Sequence, residues 1–132
     1  MSGVIKQIGL ADLIGQIFTP MLTHAPIQSM LIVSALAGFV TQSNAASVAI
    51  TIPFLQAALS LGTATPLSLA VMAAGGSAMM QYYLTGGPVA ALATVIPVIP
   101  GSELKAANKF QRPNMLFGLL VLFILSFIFS IF

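Results

Sequence analysis

The chain has 132 residues, of which 58% are apolar and only 5% charged, against about 25% charged in an ordinary soluble domain. Its net charge of +2 and pI near 9.4 rest on too few groups to build the basic patch that nucleic acid requires. With a mean hydropathy of +1.07, no cysteine and one histidine, the composition points to an integral membrane protein with neither a disulfide framework nor a thiolate metal site, and an all-α, multi-pass protein of the inner (plasma) membrane is expected.

Residues 3–22 place Val4, Ile5, Ile8, Leu13, Ile14 and Ile17 near helical spacing, with Lys6, Gln7 and Gln16 off that stripe. The segment reads as a tilted span or an interfacial helix. No secretory signal is seen, because Lys6, Gln7, Asp12 and Gln16 interrupt any apolar core of one. Asp12 stands either partway into the membrane, where an acid is costly and functional, or solvated near the interface. His24 falls in the break between Pro20 and Pro26, where an interfacial role outweighs proton transfer.

Residues 27–61 form the part around which the rest is arranged. Two charge-free apolar arms flank Gly38-Phe39-Val40-Thr41-Gln42-Ser43-Asn44-Ala45-Ala46-Ser47. Each arm is short for a spanning helix of about 20 residues. As one helix, residues 27–61 would be about 52 Å long, well beyond a core of about 30 Å. A re-entrant helical hairpin fits better, and a plain antiparallel pair through a thinned region is the alternative. The tip offers hydroxyls, amides and helix ends. Ser43 or Asn44 would cap the second arm, whose positive dipole end suits a carboxylate without any Lys or Arg. The carbonyls that end the first arm, from Gly38 on, suit a cation such as Na⁺.

The run Leu61-Gly62-Thr63-Ala64-Thr65-Pro66 is a turn, with Thr65 as N-cap and Pro66 at the first helical position. Residues 66–98 read as a broken helix. Gly75, Gly76 and Ser77 mark either close packing or unwinding, and the break at 85–88, containing Gly86, follows. Interrupted apolar segments of this kind point to transporter binding sites. Residues 101–112 read as a short amphipathic helix capped by Ser102, with Lys105, Lys109 and Arg112 placing it on the cytoplasmic side. Residues 114–132 read as a terminal span.

The order of these parts resembles the C-terminal half of carboxylate transporters of the ion-transporter superfamily, and the L-lactate permease family above all. The similar segments are GFVTQSNAAS, the turn at Leu61-Gly62, the pair Gly75-Gly76, the stretch TGGPVAALATV and the helix SELKAANKF. The resemblance covers residues 3–130. It implies one inverted repeat of a secondary transporter and symport of a small organic anion with Na⁺ or H⁺. Substrate would meet Thr41, Ser43, Asn44, Ala45, Ser47, Gly75, Gly76 and Ser77, and a coupling ion would meet Gly38, Ser43, Asn44 and Gly86. Full permeases hold both repeats in one longer chain. This chain is therefore expected to pair with a second membrane subunit or a second copy, as one part of a split transporter. A weaker likeness is to small gate-domain proteins of the spore-maturation type. The other class of function is a non-transporting scaffold or assembly subunit. An enzyme is not expected, because paired carboxylates, a catalytic Ser/His/Asp set and a metal cluster are all missing from the sequence.

Overall fold

The structure is a computed structural model that describes residues 10–81, 93–101 and 103–132. Among these residues the chain forms helices α1 (Leu10–His24), α2 (Pro26–Thr41), α3 (Asn44–Leu61), α4 (Pro66–Gln81) and α5 (Leu104–Ile131). Residues 3–9 of the first predicted helix, the break at 85–88 with Gly86, and Ser102 lie outside the described residues. Asp12 falls within α1, and His24 ends it with an exposed side chain.

Local chemistry sets the joints. Pro26 opens α2, where its missing N–H costs nothing. Gly62, at φ 64°, closes α3 in the left-handed region and donates its N–H to the Leu59 carbonyl at 3.1 Å. Thr65 and Pro66 open α4, and Thr65 Oγ1 accepts the Ser68 N–H at 3.3 Å.

Two predicted breaks are absent. α4 runs unbroken through Gly75 and Gly76 and is not a glycine-broken helix over its described length. Both glycines are instead places of close approach. A methyl on Gly76 would run into the Ser34 hydroxyl and the Leu31 carbonyl, and one on Gly75 into the side chain of Leu122. α5 is likewise one helix, where the sequence suggests an amphipathic helix followed by a separate span. Pro113 inside it removes one N–H and crowds the Lys109 carbonyl. Both residues are exposed, so solvent can take that bond and the helix continues.

Contacts fix the directions of the helices. Ser34 meets Met72 and Gly38 meets Ser77, so α2 and α4 run the same way. Gly75 meets Leu122 while Gly118 meets Met79, so α5 runs against α4. At the other end of the bundle, Gln28 Nε2 donates to Ser130 Oγ at 2.9 Å and to the Ser126 carbonyl at 3.3 Å. α3 folds back beside α2, and α1 closes the group through an edge-to-face contact of Phe18 with Phe54, centroids 5.4 Å apart.

The core joins Leu22, Ile27, Met30, Leu31, Phe54, Leu69 and Met72. Buried with them are Ser29, Ser34, Ser47, Thr51, Ser68, Ser77 and Gln81, while Leu36, Val40, Val48, Leu67 and Phe117 face outward. Polar groups inside and large apolar groups outside is the distribution that a hydrocarbon solvent favours. Two helices, α3 and most of α5, are long and apolar enough to cross a membrane.

The hairpin is longer than its sequence suggests. α2 has 16 residues and α3 has 18. Those lengths are about 24 and 27 Å, against a hydrocarbon core of about 30 Å. Residues 38–41 and 44–47, which read as tip, are taken into the two helices. Phe39, Met80 and Leu116 line one groove, so the turn lies near the polar edge of α5 at Asn114.

Candidate ligand-binding site at the hairpin turn

The turn consists of two residues. Gln42 caps α2 at φ 50° and ψ 26°, and its N–H reaches the Gly38 carbonyl at 3.0 Å. A left-handed residue other than glycine costs roughly 1–2 kcal/mol, so something must hold it. The Gln42 side chain does part of this by donating Nε2–H to the Phe39 carbonyl at 2.7 Å. Thr41 does the rest. Its hydroxyl donates to the Ala37 carbonyl at 2.7 Å and accepts the Ser43 N–H at 3.4 Å.

These bonds bear on the expected cation site. The carbonyls of Ala37, Gly38 and Phe39 each already accept a hydrogen bond within the turn. Ala37 also closes the last helical bond of α2, from the Thr41 N–H, so these carbonyls are largely occupied by the turn itself.

Ser43 is extended and stands at the N-cap of α3, but its side chain caps nothing. The first N–H groups of α3, at Asn44, Ala45 and Ala46, are the donors that a helix start leaves unsatisfied. All three residues are exposed. The positive end of the α3 dipole is therefore open at the turn.

One turn further along α3, the chain is closed. Ser77 Oγ donates to Ser47 Oγ at 2.6 Å, and both residues are buried. Thr51 Oγ1 donates to the Ser47 carbonyl at 3.0 Å. Gly38 lies so close that a methyl there would stand 2.8 Å from Ser77 Cα. Ser34 Oγ donates to the Met72 carbonyl at 2.8 Å and packs on Gly76. Residues from three helices thus meet with almost no side chain between backbones.

Gln81 follows Ser77 by one turn on the same face of α4. Because α2 and α4 run in parallel, it stands level with Gln42, one turn past the Gly38–Ser77 contact. It is only 3% exposed, and its Nε2 has no hydrogen-bond partner. An unpaired buried amide costs about 1–3 kcal/mol. Natural proteins keep such a group where something else meets it.

The structure therefore gathers Gly38, Ser47, Gly76 and Ser77 at one crossing and sets Thr41, Ser43, Asn44 and Ala45 one turn beyond, at the exposed end. Gly75 belongs elsewhere, against α5. Gln81 is the residue that the sequence does not assign to the site. Its signal was a lone amide four residues after Ser77 in an otherwise apolar helix. Among the described residues no group of three His, Cys, Asp or Glu could hold a metal. The chemistry on offer is hydrogen-bond donation to a small anion, from a helix start and a side-chain amide.

No protein-family model matches the chain, and neither a curated protein nor a solved structure matches it.

Proposed function

We propose that the chain is one membrane-embedded part of a secondary active transporter for a small organic anion such as a carboxylate, coupled to Na⁺ or H⁺. It would work with a second membrane subunit carrying the other repeat, or with a second copy of itself. It would cross the inner membrane several times, with residues 101–112 on the cytoplasmic side. The turn of the hairpin would then sit near the cytoplasmic boundary rather than at mid-bilayer.

One observation carries this reading. An α3 start with no side-chain cap and a buried, unpaired Gln81 amide lie at the same level of the bundle. Donors without acceptors at one place await an acceptor, and a carboxylate is the compact one that needs no counter-charge at a helix start. The resemblance to lactate permeases supports the same substrate class. Thermal-shift measurements on the purified full chain, with monocarboxylates and dicarboxylates and with or without Na⁺, test it. Stabilisation by a carboxylate that is lost in Ser43→Ala/Asn44→Ala is expected. Equal melting with and without every carboxylate would remove the reading.

A scaffold or assembly subunit is the second reading. The unbroken α4 and the closely packed glycine crossing favour it, because a moving transport element needs looser joints. Co-purification with a larger complex and no carboxylate response would select it.

A further inference from the structure

α5 carries a face that is basic at one end and apolar at the other. At about 100° per residue, Lys105, Lys109 and Arg112 fall on the same stripe as Leu116, Leu119 and Phe123. Glu103, the nearby acid, precedes the helix as its N-cap in extended backbone. The apolar half of the stripe forms one wall of an open groove of about 610 Å³, with Leu31, Ala35 and Phe39 of α2 across it. Lys105, Lys109 and Arg112 are exposed. Arg112 is about 6 Å along the axis from Leu116, where the groove begins.

We propose that this groove and its basic stripe bind one anionic phospholipid, with an acyl chain in the groove and the headgroup phosphate against Lys109 and Arg112. The shape of the groove suits this occupant: from Leu116 to Phe123 it runs about 10 Å between apolar walls and is open to the outside. The charge selects the headgroup, because basic residues just outside an apolar segment attract anionic lipid. The apolar walls and the cations lie in the order that a phospholipid presents its own parts. This site needs the chain to sit in a bilayer, but it does not depend on transport.

Native mass spectrometry of the full chain in mild detergent tests it, with phosphatidylglycerol and phosphatidylcholine of matched acyl chains as probes. One phosphatidylglycerol bound with a preference of roughly tenfold or more is expected. Lys105→Gln/Lys109→Gln/Arg112→Gln should abolish the preference and leave phosphatidylcholine binding unchanged. Ala35→Phe should fill the groove and remove both lipids. Equal binding of the two lipids by the parent chain, or a preference that survives loss of the three charges, would overturn the proposal. So would Phe39→Cys forming a disulfide with a second copy, which would put protein in the groove. The charge variants leave the apolar lining of the groove intact, and Lys105→Gln/Lys109→Gln alone should already weaken the preference, so the headgroup result stands whether or not Ala35→Phe folds.

Discussion

Ser77 and Ser47 are 30 residues apart in the chain and share a 2.6 Å hydrogen bond inside the bundle. That bond pins the start of α3 to α4 one turn below the hairpin turn. Without it the start of α3, with the donors of Asn44, Ala45 and Ala46, would not be held against α4 one turn before Gln81. Ser77→Ala leaves the Ser47 hydroxyl buried without its donor and should cost about 1 kcal/mol. In a double-mutant cycle with Ser47→Ala, the coupling should be of similar size. Chemical denaturation in detergent measures it, and strictly additive losses would mean the bond holds nothing.

Gly38 tolerates no side chain. An added methyl would meet the backbone of Ser77, which cannot swing aside, so Gly38→Ala should destabilise by roughly 1–3 kcal/mol. Gly118 is a contrast within the same bundle. A methyl there meets only the flexible Met79 side chain, so Gly118→Ala should be neutral or slightly stabilising. Thermal unfolding of the two variants side by side should separate them clearly. Equal melting would deny the close approach of α2 to α4.

The parallel run of α2 and α4, with α5 opposed, puts the hairpin turn and the basic start of α5 at one end of the bundle. The chain has no cysteine, so single cysteines report without background. Ala45→Cys and Lys105→Cys should both react with an impermeant maleimide from the same side of sealed vesicles. Labelling from opposite sides would break the assigned helix directions.

Much of this architecture is legible in the residues. The joints at Pro26, Gly62 and Thr65-Pro66 announce themselves, because proline and left-handed glycine have few other uses at such places. The paired apolar arms around residues 42 and 43 are legible for the same reason: a helix that long does not fit a bilayer. What could not be read are choices that a distant contact decides. Gly75-Gly76 is compatible with a packed helix or an unwound one, and only Ser34, Leu31 and Leu122 show which. Pro113 is compatible with a break or a tolerated kink, and exposure of the Lys109 turn decides that. For the site, the hydroxyls of the tip stood out by composition. Gln81 did not, because its importance comes from burial without a partner, a property that no local pattern encodes.

The central claim is that Gln81 and the start of α3 jointly hold a small carboxylate. Gln81→Leu tests it most directly, because structure and function pull in opposite directions. Removing an unpaired buried amide should leave the ligand-free protein as stable as before, or more stable by up to about 1 kcal/mol. The measurement is the melting shift that a saturating carboxylate produces in the parent chain and in Gln81→Leu. A shift in the parent chain that vanishes in a well-folded Gln81→Leu is the expected result. A shift of equal size in both would contradict the account.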